Sequence, residues 1–185
     1  MLKFTIKFLS FLMVTTSIGA QTVDHSTMDH ASHMSTMSDT QRQAEVAERG
    51  QDVMPFSLDA TTHIFTKNPQ GGIQQVVSKI KNDEAQVMLI QKHLQDIRVQ
   101  FLKGDFSAPA KIHGQEMPGL SALMASKAGQ ITIEYQSIEG GAELVYLTNN
   151  ADLVLALHQW FDAQLQDHGK DAMAGNANHH SGMKH

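Results

Sequence analysis

The chain has no cysteine. That excludes a disulfide framework, a thiolate nucleophile and any metal site built on thiolate sulfur. Aromatic residues are sparse, with one Trp and two Tyr in 185 residues. Basic character is lacking too: the formal net charge is −5 with His neutral, and nucleic-acid binding needs a basic face. No apolar run is long enough to remain as a bilayer-spanning helix. No Walker loop, dinucleotide fingerprint, HExxH or GxSxG motif occurs, so the commonest nucleotide, zinc-protease and serine-hydrolase chemistries have no signature here.

Histidine and methionine are abundant instead, eleven of each. His25, Met28, His30, His33, Met34 and Met37 crowd one short stretch, and His179, His180, Met183 and His185 crowd the end. Without Cys, any metal must be held by His, Met, carboxylate or backbone. Thioether sulfur is soft and suits Cu(I), while imidazole serves Cu(I), Cu(II) and Zn(II) alike. His25, Met28, His30, His33 and Met34 are therefore candidate copper ligands. The plainer reading is a polar leader.

Lys3 and Lys7 precede an apolar run from Phe8 to Val14, followed by small residues up to Ala20. This is the pattern of a signal peptide cut after Ala20, which implies a periplasmic or secreted location and no membrane span afterwards. Residues 21–50 are polar, with few aliphatic side chains, and are expected to be disordered; a short helix at Thr40–Arg49 is the alternative for their second half. The folded domain is expected over 51–170, followed by a His/Met-rich tail over 171–185.

Within the domain, Thr61 to Lys67 alternates as a strand, Asn68-Pro69-Gln70-Gly71-Gly72 is turn chemistry, and Ile73 to Ile80 returns. Asn82 or Asp83 can cap a helix whose stripe is Val87, Ile90, Leu94, Ile97 and Phe101, with Gly104 as its stop. A Gly/Pro-rich connector from Asp105 to Pro118 and a short helix near Gly119–Lys127 follow. Gln130 to Ser137 and Ala142 to Thr148 form a second strand pair around Gly140-Gly141. Asn149 or Asn150 then caps a helix over Leu153 to His168. The pattern predicts an α+β fold of two ββα halves, an internal duplication, with an antiparallel sheet and helices on one face. Laying Gly71-Gly72 over Gly140-Gly141, with a gap, brings His93 onto His158.

Five domain residues are candidate metal ligands: His63, His93, His113, Met117 and His158. His113 and Met117 stand four apart in a loop that backbone can shape around an ion; a surface His and a gap-filling Met is the plainer reading. His93 and His158 border apolar helix faces, as helix-borne metal or haem ligands do, although a core His bonded to a carbonyl is the commoner case. His63 is a third donor, on a strand. His168, at a helix C-terminus, suits the dipole. Asp162 and Glu116 are acids that no spacing selects.

The blocks MPFSLDATTHIFTKNPQGGIQQV, GDFSAPAKIHGQEMPGL and LVLALHQWFDAQLQDHG resemble a family of small bacterial exported proteins of unassigned function. Some members of that family carry the label aspartate carbamoyltransferase. This chain lacks the Ser-Thr-Arg-Thr phosphate-binding signature and the length of that two-domain enzyme, so the resemblance implies no catalytic residues. The leader is similar in composition to those of periplasmic copper-handling proteins.

The function expected is periplasmic copper binding, as Cu(I) or Cu(II), for sequestration or delivery. Its partners would be the ion and a copper exporter or another periplasmic protein. The alternatives are a haem- or zinc-dependent enzyme using a cleft between the halves, and an interaction module whose His are structural.

Overall fold

The computed structural model describes the backbone of residues 26–176 and the side chains from residue 39 onward. The signal peptide, His25, and the tail His179, His180, Met183 and His185 lie outside the described residues. So do the side chains of Met28, His30, His33, Met34 and Met37. Eleven elements follow in order. They are α1 (Ser26–Gln51), β1 (Thr61–Asn68), β2 (Gly71–Ser78), α2 (Glu84–Leu102), α3 (Ser107–His113), α4 (Leu120–Met124), β3 (Thr132–Ile138), β4 (Gly141–Leu147), α5 (Ala151–His168), a 3-10 turn (Gly169–Asp171) and β5 (Ala172–Ala174). Among them none is a helix long and apolar enough to cross a membrane.

The fold is α+β, as expected: one open sheet in the order β3-β4-β2-β1-β5, with helices packed against it. The two hairpins have the same geometry. Asn68 faces Gly71 in the first, and Ile138 faces Gly141 in the second, so equivalent strand positions stand 70 apart. Where β2 meets β4, Gln74 pairs with Leu144, its own equivalent, and a pseudo-two-fold axis passes between them. The sequence overlay of Gly71 on Gly140 is therefore one residue out. Each turn holds two residues, Pro69-Gln70 and Glu139-Gly140, so the glycine that matches Gly71 is Gly141. A Cβ on Gly141 would lie 1.9 Å from the Val76 carbonyl, and one on Gly71 would lie 2.3 Å from that of Tyr146. Both glycines let the central strands close on each other. The recurrence is one of topology; a duplication by descent does not follow from it, since Thr62/Thr132 and Gly71/Gly141 are the only identities between the hairpins at this spacing.

Caps set both long helices. Asp83 accepts from the Gln86 amide at 3.1 Å, and Asn150 accepts from the Asp152 amide at 2.9 Å, so each satisfies amides that the first turn leaves open. Their apolar stripes meet the sheet face that carries Phe65, Val76, Leu144 and Tyr146. Trp160 on α5 packs edge-on against Phe101 of α2 and Tyr146 of β4, with ring centroids 5.9 and 5.8 Å away. Burial of such aromatic surface contributes most of the core's stabilisation.

Two boundaries differ from expectation. The leader was expected to be disordered to residue 50, yet α1 is helical through Gln51 and its second half belongs to the domain: Val46 is buried in the core. Arg42, Gln43 and Arg49 tie this helix to α5 and α3 (Arg42 to Asp167, Gln43 to the Gln166 carbonyl, Arg49 to the Ile112 carbonyl). One buried valine and three long polar side chains make a weak hydrophobic signal, although their long-range bonds order the segment. At the other end, β5 pairs in parallel with β1, Ala172 beside His63. The folded part therefore extends past 170.

Candidate functional site

Four imidazoles from four elements converge on one cavity beneath α1. His63 comes from β1, His93 from α2, His113 from the end of α3 and His168 from the end of α5. Alternation along β1 turns His63 inward with Phe65. His93 stands three residues after Ile90 and four before Ile97, on the buried side of α2. The segment expected to be an open loop instead coils into α3, and its last residue, His113, is 4 % exposed. His168 closes α5 just before Gly169.

The rings touch. His63 and His168 stack with centroids 4.6 Å apart and planes 6° from parallel, and His113 meets His168 edge-on at 5.1 Å. His93 and His63 both lean on Phe56, at 5.4 and 6.0 Å. The cavity they line is about 40 Å³, room for a few water-sized spheres at about 10–15 Å³ each.

One of these imidazoles has a nitrogen anchored. His113 Nδ1 lies 2.8 Å from Asp167 Oδ2, and Arg42 grips both oxygens of that carboxylate, at 2.5 and 2.7 Å. Burial alone would raise the Asp167 carboxyl, but the hydrogen bonds from His113 and Arg42 outweigh it and hold the group below its usual range. The ionised carboxylate can only accept, so His113 Nδ1 donates. A carboxylate that holds a ring as Asp167 holds His113 is the arrangement found behind metal-ligating imidazoles. His63 Nδ1 is buried without a hydrogen-bond partner, and the Asp171 backbone carbonyl near the ring favours its protonated form.

The cavity also lacks internal satisfaction. His63 Nδ1, Trp160 Nε1 and Gln164 Oε1 are buried without hydrogen-bond partners, and all three residues line it. Each such atom costs about 1–3 kcal/mol unless something fills the space. Electrostatics keep the lone pairs available. Burial, followed by repulsion from His93, lowers the His63 pKa to about 4, and burial lowers that of His93 to about 4. Burial, with repulsion from His63 and His113, also lowers His168 well below its usual value. These three imidazoles are neutral at pH 7.

His63, His93 and His113 are thus brought together, as the sequence suggested. Met117 is not an open-loop donor: it is 3 % exposed and packs in the hydrophobic core. His158 lies elsewhere. Its Nε2 stands 3.0 Å from the Asn68 carbonyl and 2.9 Å from that of Gly71, so it staples α5 to the β1–β2 turn. Nor is it the equivalent of His93. Counted from the caps Asp83 and Asn150, the residue that matches His93 is Trp160, and both line the cavity. Asp162 pairs with Lys67 at the surface.

Sequence reasoning passed over His168, Trp160, Gln164 and Met54 as cavity-lining residues. A signal for three of them was present. Trp160, Gln164 and His168 recur every fourth residue along α5, one stripe of a helix, and the polar members of an otherwise apolar stripe mark where it meets a site.

More open hollows occur elsewhere, such as the one beside Ile80 and Met88, which no His lines. Among the described residues, no three His, Cys, Asp or Glu side chains stand as a ready-made cage. The stacked rings must rotate about χ2 to converge on a shared ion. Against family models, curated proteins and solved structures, the chain shows no significant match.

Proposed function

We propose that this is an exported copper-binding protein, serving sequestration or delivery, and that its specific site is the four-imidazole cavity beneath α1. One observation carries the reading: His63, whose buried Nδ1 has no hydrogen-bond partner, lines the same small cavity as the other three imidazoles. Neutral imidazole is a ligand for copper, and a lone pair already stripped of water pays no desolvation when an ion arrives. The His/Met-rich stretch of residues 25–37 supports the same metal by composition. The basic and apolar start supports export.

A haem enzyme fits the geometry less well. A cavity of about 40 Å³ is far below the several hundred cubic ångströms that a bound organic ligand needs, and His93 and His158 face different surroundings.

The chain's single tryptophan lines the cavity, so its emission reports on this site. Titrating the full chain with copper should change Trp160 emission with one-to-one saturation, and His93→Phe should abolish the change while thermal unfolding stays cooperative. Copper bound by the chain with no change in Trp160 emission would confine binding to the ends and remove the cavity from the proposal.

A further inference from the structure

We infer that the cavity selects a soft monovalent cation, Cu(I), and that Met54 supplies a thioether donor at its mouth; this rests on the copper reading above. Charge is the first reason. The two acids beside the cavity are already neutralised, Asp167 by Arg42 and Asp171 by Lys79 at 2.6 Å. No carboxylate lines the cavity itself; its donors are imidazoles, the Trp160 indole, the Gln74 and Gln164 amides and the Met54 thioether. Moving an ion from water into a low-dielectric pocket costs energy that rises with the square of its charge. A divalent ion without a carboxylate partner therefore suffers about four times the penalty of a monovalent one.

Donor chemistry is the second reason. Thioether and imidazole together favour Cu(I), whereas hard ions want oxygen ligands. Space is the third. A cavity of about 40 Å³ leaves no room for the water shell that Mg²⁺ or Ca²⁺ retains, while Cu(I) is satisfied by two or three donors.

The route in points to Met54. A groove of about 680 Å³ runs between the second half of α1, the segment from Met54 to Asp59, and the turn after α5. Three residues line both this groove and the inner cavity: Met54, Phe56 and His168. An ion passing inward meets a thioether, a ring face and an imidazole. Gly50 makes room for the thioether, since a Cβ there would lie 2.7 Å from Met54 Cε. The exchange of one soft donor for the next is how a monovalent copper ion moves without becoming hydrated.

The test uses the full chain under anaerobic conditions, with Cu(I) buffered by a competing chelator, beside parallel titrations with Zn(II) and Cu(II). Trp160 emission is the readout throughout. Cu(I) should change it with saturation, Zn(II) and Cu(II) should leave it unchanged, and Met54→Leu should weaken Cu(I) binding at least about tenfold while its thermal midpoint stays within a few degrees. Zn(II) or Cu(II) saturating the same signal with equal affinity would overturn the selectivity and leave the metal site standing. Unweakened binding by Met54→Leu would overturn the role of Met54. An emission that no ion changes would overturn both this inference and the cavity as the copper site.

Discussion

The two hairpins share a backbone and differ in what they face inward. At positions related by the pseudo-two-fold, the first carries His63, Phe65 and Gln74, and the second carries Ile133, Tyr135 and Leu144. The second hairpin is an ordinary apolar face: Ile133 and Leu144 are buried in the core. The first buries the His63 imidazole, whose Nδ1 is unsatisfied, and the Gln74 amide, which accepts from the Tyr146 hydroxyl. The helices repeat the contrast, with His93 on α2 where α5 has Trp160. One arrangement thus carries an apolar strand face in one half and a more polar one in the other, and the unsatisfied polar atoms come from both halves where they meet, on β1 and on α5.

The largest expected effect comes from erasing that difference. His63→Ile copies the second hairpin into the first and removes the unpartnered nitrogen. It should weaken copper binding by about a hundredfold, roughly 2.7 kcal/mol, with the thermal midpoint held or raised, because an unsatisfied buried nitrogen disappears with the ring. A midpoint that collapses together with binding would make His63 structural, like Ile133.

Next is the support behind His113. Arg42→Met leaves the buried Asp167 carboxylate with His113 alone. Removing one partner of a fully buried pair costs about 3–5 kcal/mol. Arg42 is 45 % exposed, so solvent screening reduces this to ~2 kcal/mol in urea denaturation. Loss of cooperativity at the α1 end, read by amide exchange, would accompany it.

Acid should act on the cavity, where burial lowers the pKa of His63, His93 and His168. The folded pKa of His63, about 4, lies below the unfolded value. The unfolded state therefore binds more protons, and stability is lost as pH falls from the unfolded value, about 6.5, through the folded one. Between pH 7 and pH 5 this amounts to about 2 kcal/mol for His63. Denaturation curves at the two pH values should show it, and His63→Ile should reduce the difference while His93 and His168 keep the rest.

The smallest effect is expected at the histidine outside the cavity. His158→Gln removes the bonds to Asn68 and Gly71, at a cost of about 1 kcal/mol, and should leave the copper response of Trp160 intact. A lost response would place His158 in the site after all.

Most strands and helices were legible because short-range physics sets them. Alternation, Gly-bearing turns and the caps Asp83 and Asn150 each act within a few residues. The internal symmetry was legible too, although off by one residue, because a turn's length is read less easily than its glycines. His63, His93 and His113 were legible as candidates by residue type. Their convergence was not, since it depends on which side of α2 faces the sheet and on a connector that coils into α3. His158 and Met117 were misplaced for the same reason: on a helix or beside one, a turn of one residue moves a side chain from site to core or surface. The stripe Trp160, Gln164 and His168 was readable in principle. Its meaning lay in the cavity it borders.

The amino-acid sequence by itself determined the donor chemistry of this protein: imidazole and thioether without thiolate, on an acidic chain with a basic, apolar start. It also determined the α+β order of elements, because caps, turns and periodicity are local. Tertiary structure alone decided which four histidines meet among the described residues, and that Arg42 of α1 reaches the Asp167 carboxylate behind His113. Those outcomes depend on contacts between residues far apart in the chain, such as Arg42 with Asp167 and His63 with Asp171. No local pattern encodes a partner that only folding brings within reach.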